Sequence, residues 1–217
     1  MTRRGFLDTT FGAAATAMLP WPGAVGAAGR PMLEQLSVAR LEDGLYLLSC
    51  SDWNVLALCG PQGMLLVDGG AALYTRELLA ALGALPNGGP VKVLFNTHWH
   101  WNHTGSNEAL AAQHAQIIAH RNTKLWLGTP ITVEWQHHTY PPRPAAALPT
   151  TTFVNGTPDM QFSGQPVRYG HLPAAHTDGD LYVHLPQPNV IVAGGVVAAG
   201  RYPTIDYSTG GWIGGMA

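Results

Sequence analysis

The stretch Thr97-His98-Trp99-His100-Trp101-Asn102-His103-Thr104-Gly105-Ser106-Asn107-Glu108 holds three of the chain's ten histidines within six positions. It follows Val91-Lys92-Val93-Leu94-Phe95-Asn96, an apolar run that reads as a buried strand. At the end of such a strand His98 and His100, two residues apart, project to the same side and aim two nitrogens at one spot. His103 arrives after a tight turn, ahead of Glu108-Ala109-Leu110-Ala111-Ala112, whose composition is helical. Strand, loop and helix together make a platform for a metal ion.

Neutral imidazole is the commonest side-chain ligand for zinc, and a catalytic zinc takes three protein ligands and keeps one position open. The remaining histidine must come from elsewhere. The candidate is His176, in Ala175-His176-Thr177-Asp178-Gly179-Asp180, a turn between the strand-like Val167-Arg168-Tyr169 and Leu181-Tyr182-Val183.

These residues resemble the signature of the metallo-β-lactamase-fold superfamily, HxHxDH followed by a distal histidine in a GHT- or AHT-like turn. Here the signature stands as His98-x-His100-x-Asn102-His103. The likeness runs from about Leu45 to Gly215 and keeps the family's order: hairpin strands, Leu65-Leu66-Val67-Asp68-Gly69-Gly70, the histidine motif, then His176. It implies an α/β fold, an αββα sandwich of two mixed β-sheets flanked by helices. It also implies that His98, His100 and His176 hold the first metal and that Asp68, lying behind the ligands, orients one of them.

The departures from the family are informative. Its second metal uses the motif Asp, the motif's last His, a later Asp in an AGD-like turn and a C-terminal His. The motif Asp is Asn102 here, the later Asp is Gly195 in Val192-Ala193-Gly194-Gly195, and the chain stops at Ala217 before the last helix, strand and histidine. Of the second site only His103 remains. An amide oxygen is neutral and a weak zinc ligand, so one zinc ion is expected, with the second site empty.

The first thirty residues differ from the rest. Thr2-Arg3-Arg4-Gly5-Phe6-Leu7 precedes an Ala-rich run from Phe11 to Leu19 and small residues around Val25-Gly26-Ala27-Ala28. This is the layout of a secretory signal, and the paired arginines resemble a twin-arginine signal. Its apolar centre of about nine residues falls short of the ~20 needed to span a bilayer. Residues 1–28 are therefore expected to be a signal peptide and 29–217 a domain working in the bacterial periplasm, with no membrane attachment after cleavage. Charged residues make up only 11% of the chain, the net charge is -2, and no basic patch or run of like charge occurs. A small-molecule substrate is expected, and a nucleic acid is not.

Cys50 and Cys59 lie on consecutive predicted strands. If Ser51 to Asn54 form the connection, Cys50 faces Val55 and Cys59 lies roughly 13 Å further on, too far for a bridge. Two buried thiols are expected.

In order, the pattern predicts strands at 44–50, 54–59 and 63–68, a helix over 73–85 from Leu78, Leu79, Leu82 and Leu85, and the strand leading to the motif. A strand at 116–119 and a helix over 121–127 follow. Residues 129–152, rich in Pro and Thr, read as a short helix and then an extended loop that could close over the metal. Strands return around Phe153, at 161–162, 167–172, 181–185 and 190–193. Gly210-Gly211-Trp212-Ile213-Gly214-Gly215 would begin a helix. His114, His120, His137, His138, His171 and His184 lack a partner at ligand spacing and read as surface or satisfied histidines.

A zinc at this site lowers the pKa of its water to ~7, which suffices for attack on a carbonyl. Asn102 can orient that water but cannot take its proton, leaving His103 or solvent as acceptor. Asn102 and His103 are thus the catalytic candidates. Trp99 and Trp101 alternate with the ligands and should point away from the metal, whereas Trp53, at a hairpin tip, has the better claim to touch substrate. The reading is a mono-zinc hydrolase of an ester, thioester, lactone or lactam bond. A non-catalytic binding descendant of the fold is the alternative. An iron oxygenase of the persulfide dioxygenase kind would need a carboxylate where Gly195 stands.

Overall fold

The computed structural model describes residues 35–50 and 52–217, so the expected signal peptide lies outside the described residues. Two sheets pack face to face. The larger has seven strands in the order β1-β2-β3-β4-β5-β6-β9: β1 (Ser37–Glu42), β2 (Leu45–Cys50), β3 (Trp53–Gly60), β4 (Gly63–Val67), β5 (Val91–Phe95), β6 (Gln116–His120) and β9 (Thr151–Phe153). Pairing is antiparallel from β1 to β4 and parallel from β4 through β5 and β6 to β9. The smaller sheet is antiparallel throughout, in the order β10 (Asp159–Phe162), β11 (Gln165–Leu172), β12 (Asp180–Leu185) and β13 (Val190–Val192). A separate hairpin joins β7 (Ile131–Val133) to β8 (His138–Tyr140).

Alternation along the strands creates two cores. On β3, Val55, Ala57 and Cys59 face one side of the large sheet, where they meet Leu78 and Leu82 of α1 (Thr75–Gly83) and Leu110 of α3 (Asn107–Ala111). Leu56 and Leu58 face the other side and pack, with Leu65, Val67 and Phe95, against Phe162, Val167, Leu181 and Val183 of the small sheet. Burial on both faces explains why β3, β4 and β5 read as continuous apolar runs rather than alternating ones. It also places the carboxyl ends of β4 and β5 side by side, where loops can carry functional side chains.

Several expectations change. β1 was not foreseen: all six of its residues are exposed, so it has no apolar face to read and exists by pairing with β2 at the sheet edge. The segment 129–152 holds no α-helix. Its β-branched residues form the β7–β8 hairpin, closed through His137 at φ 49°, and a 3-10 turn at Ala145–Ala147 leads into β9. The glycine-rich segment 210–215 makes only a 3-10 turn at Ile213–Gly215, since glycine disfavours the helix and the Trp212 amide is spent on the carbonyls of Ala174 and Ala175. Cys50 faces Trp53, not Val55; both cysteines are buried, and no disulfide joins them. Among the described residues no helix is long and apolar enough to cross a membrane.

The motif does not extend the strand. β5 ends at Phe95, His98 and His100 lie in the following loop, and His103 lies in the single-turn helix α2 (Trp101–Thr104). Gly105, just after α2, donates its amide to the Gly70 carbonyl at 2.8 Å, and a Cβ there would collide with the backbone of residues 70–72. This close approach seats the histidine loop on the loop after β4. Gly105→Ala should therefore cost about 1–3 kcal/mol of stability, read as a lowered urea midpoint with an unchanged slope.

Candidate metal centre

The site forms where three loops meet: residues 68–71 after β4, residues 96–103 after β5, and residues 173–179 before β12. Asp68 anchors it. Buried to 2% exposure and held at φ 67°, it accepts the Thr97 amide at 2.8 Å on Oδ1, and the Thr97 hydroxyl at 2.8 Å and His103 Nδ1 at 2.7 Å on Oδ2. Asp68 thus acts directly on His103 and, through Thr97, on His98.

The outer hydrogen bonds decide which ring nitrogens carry hydrogen. Thr97 gives its hydroxyl proton to Asp68, so its oxygen accepts from His98 Nδ1 at 3.0 Å. That leaves His98 Nε2 with a bare lone pair; it is buried and has no hydrogen-bond partner among the described residues. The Thr204 carbonyl can only accept, so His176 Nδ1 donates to it at 2.6 Å and Nε2 is bare. Asp206 accepts His100 Nε2–H at 3.1 Å, leaving Nδ1 bare. Burial pushes the Asp206 carboxyl up, but hydrogen bonds from His100 and Thr209 outweigh it and hold the group below its ordinary value.

The three bare nitrogens converge. His98, His100 and His176 offer ligand atoms that all lie within 4.8 Å of one another, and each pair of rings is 4.7 Å apart. His100 Nδ1 and His176 Nε2 face each other at 2.9 Å. Two lone pairs at that distance repel unless a cation lies between them. Burial, followed by the charges of the neighbouring histidines, holds His98 well below the ordinary imidazole value, and burial with His100 lowers His176. His98 and His176 thus favour the neutral ring, the form that ligates a metal. An orphaned buried nitrogen beside two opposed lone pairs fits a metal ion.

The distal turn is braced from behind. Asp180 accepts the Thr177 amide at 2.8 Å and hydroxyl at 2.7 Å, and burial pushes its carboxyl up to about 6 against those bonds. The helix α4 (Arg121–Leu127) holds the same turn through Thr123 Oγ1 to the Gly179 carbonyl at 2.7 Å and Trp126 Nε1 to Asp178 at 2.7 Å. His120, which caps α4, stacks on His171 at 3.8 Å, so these two histidines are satisfied within the fold and away from the ligand cluster.

The other candidates take distinct places. His103 lies beside the cluster, its ring 4.2 Å from that of His98, with Nδ1 on Asp68 and Nε2 left bare. Asn102 donates to the Asp52 carboxylate at 3.1 Å. Gly195 backs onto His176 so closely that a Cβ would strike the imidazole ring, which explains why no side chain stands there. Trp53 is only 2% exposed and packs edge-on against Tyr74 at 5.6 Å, so it gives the cleft little surface. Trp99 is buried, its indole N–H on Thr209 at 3.0 Å, whereas Trp101 is half exposed. Sequence reasoning did not single out Thr97 or Asp206 as positioning groups. Thr97 adjoins the motif and could have been suspected, but Asp206 lies 106 residues from the ring it orients.

A cleft of about 910 Å³ opens over the centre, lined by the four histidines, Asp52 and Asp206 as well as by Leu41, Leu56, Trp101, Tyr140 and Ile191. Removing a group that fixes a ligand's tautomer should weaken the metal site without unfolding the protein. Thr97→Val and Asp206→Asn are each expected to lower metal affinity ~10–100-fold in chelator competition. Affinity unchanged in both would contradict the tautomer argument.

No curated protein sequence matches the chain. Solved structures with the same fold include a metallo-β-lactamase from Pontibacter korlensis, 22% identical over 77% of this chain and 75% of its own, with a TM-score of 0.62. A native metallo-β-lactamase from Legionella gormanii is 17% identical over 86% of this chain and 74% of its own, TM-score 0.65. A Cronobacter sakazakii metallo-β-lactamase variant is 18% identical over 80% and 67%, TM-score 0.63. At these identities the likeness speaks to the fold. The sequence profile of the metallo-beta-lactamase superfamily matches residues 52–216, which include the motif, Asp68 and His176. By its sequence, its two-sheet fold and its three-histidine cluster, the chain belongs to the metallo-β-lactamase superfamily.

Proposed function

We propose that the chain is a mono-zinc hydrolase that cleaves an ester, thioester, lactone or lactam bond of a small substrate. The observation that carries this reading is the convergence of three bare imidazole nitrogens at the floor of an open cleft. An all-imidazole donor set suits zinc, whereas the non-haem iron oxygenase arrangement requires a carboxylate ligand. The layout of residues 1–28 supports periplasmic action.

His98, His100 and His176 would hold the ion, which when bound supplies Lewis-acid polarisation and a water acidic enough to ionise near neutral pH. His103 is arranged to accept a proton at Nε2, because its Nδ1–H is anchored on Asp68 and that carboxylate stabilises the resulting imidazolium. Asn102 can hydrogen-bond to a reacting group but has no basicity. With no carboxylate at that position, turnover should fall below that of a relative using a full general base, a contribution worth ~10²–10⁴ in rate. The apolar part of the cleft wall, with Leu41, Leu56 and Ile191, suits a substrate with an apolar group beside the scissile bond.

The direct test is hydrolysis of a panel of esters, thioesters, lactones and lactams by the zinc-loaded chain, before and after chelation. Turnover abolished by chelator and restored by about one equivalent of zinc is the expected result. Tight zinc binding with no turnover on any class would instead make the chain a binding descendant of the fold. A second measurement addresses stoichiometry. Asn102→Asp would set a carboxylate where the amide now meets Asp52, and the two facing acids should then recruit a second ion. Metal content above one per chain is expected for this variant, with a changed rate; unchanged content and rate would defeat the one-ion account.

A further inference from the structure

Beside the metal cleft lies a second, smaller cavity of about 230 Å³, walled by Trp99, Trp101, Trp126, Tyr140, Arg143 and the prolines of segment 141–144. Its size suits a ligand of one ring, since drug-sized ligands occupy ~300–1,000 Å³. The polar ends of its aromatic walls are already used inside the protein. Trp99 Nε1 donates to Thr209 at 3.0 Å, Trp126 Nε1 to Asp178 at 2.7 Å, and the Tyr140 hydroxyl to Gln136 at 2.8 Å. What Trp126 and Tyr140 offer a ligand is therefore ring surface, whereas Trp99, at 4% exposure, adds only a small part of the wall. Trp99 and Tyr140 stand edge to face, 5.7 Å apart, and form one corner of the cavity.

Arg143 differs from the other walls. Its backbone amide is tied to the Leu127 carbonyl at 2.7 Å, yet its side-chain Nε is buried and has no hydrogen-bond partner among the described residues. Arg143 as a whole is only partly buried and lines the cavity without a carboxylate partner among the described residues, and the planar fork of a guanidinium matches a carboxylate. Aromatic walls, a one-ring volume and a single unpaired cationic donor together specify a ligand.

The geometry points to a binding site for a small aromatic carboxylate, a single planar ring bearing one acidic group, separate from the metal centre. The ring lies among the tryptophans, Tyr140 and the prolines, and the carboxylate pairs with Arg143. Trp99, Trp101 and Tyr140 line both this cavity and the metal cleft, and the Trp99 ring packs against His100 at 4.4 Å. A ligand held here abuts the cleft without touching the histidine nitrogens. The site requires neither metal nor hydrolysis, so it stands or falls apart from the hydrolase reading.

Three of the chain's seven tryptophans form its wall, so intrinsic fluorescence reports occupancy. Phenylacetate is titrated into the whole chain, zinc-loaded and chelator-treated, with phenylacetamide as the neutral control. Saturable quenching by phenylacetate in both forms is expected, with affinity roughly tenfold or more weaker for phenylacetamide and for Arg143→Gln. Trp101→Ala, at a half-exposed position, should weaken binding of both compounds. No saturable response would overturn the site. So would equal affinity for the neutral control, because charge pairing would then play no part, and so would an Arg143→Gln variant that folds and binds phenylacetate as tightly as the original chain. The phenylacetamide comparison needs no variant, so the inference is testable even if Arg143→Gln fails to fold.

Discussion

A buried carboxylate that must be satisfied governs this site. Asp68 sits at the end of β4 with its backbone in the left-handed region, which an aspartate tolerates better than most side chains. Its oxygens receive three donors, two from Thr97 and one from His103. Those bonds settle the charge of Asp68 in the interior and, at the same time, direct hydrogens onto Nδ1 of His98 and of His103. Asp206 directs a hydrogen onto Nε2 of His100, and the Thr204 carbonyl directs one onto Nδ1 of His176. The centre is defined less by where its rings lie than by which of their nitrogens have been left without hydrogen.

The sheets supply the rigidity this needs. β4 and β5 run parallel and adjacent at the middle of the large sheet, buried on both faces, so the loops leaving their carboxyl ends start from fixed points. The Leu181 amide bonds to the Thr97 carbonyl at 2.8 Å, tying the start of β12 in the small sheet to the motif loop. Ligands distant in sequence are thus brought together by the same packing that closes the core between the sheets. α4 adds a brace behind the distal turn, so displacement of His176 would require breaking side-chain bonds as well as sheet contacts.

Asn102 and Gly195 give the centre an asymmetric character. The amide of Asn102 is engaged by Asp52, and the space that a side chain at 195 would need is occupied by the His176 ring. The two positions where relatives place carboxylates have been accommodated in the local packing. Four imidazoles then face a cleft whose acidic groups are engaged with Thr97, His103, His100 or Asn102. The three clustered imidazoles could hold a metal ion through neutral nitrogens alone, and His103 lies beside them.

The sequence by itself determined the family, the strand run through both cores and the three histidines that cluster. Histidines at motif spacing, apolar runs at β3 to β5 and the acid ending β4 are local signals, each carried by a few adjacent residues. The edge strand β1, with no apolar face, and the β7–β8 hairpin, within a Pro- and Thr-rich segment, carried no such signal. Only the tertiary structure decided how the ligands converge: β5 ends before the motif, so strand alternation does not aim His98 and His100, and their opposed nitrogens come from the loop's course. It likewise decided the partners of Asp206 and Thr204 and buried Trp53 against Tyr74. Hydrogen-bond direction depends on which groups meet across the fold, and contacts between residues some 30 to 106 positions apart leave no periodic trace in the chain.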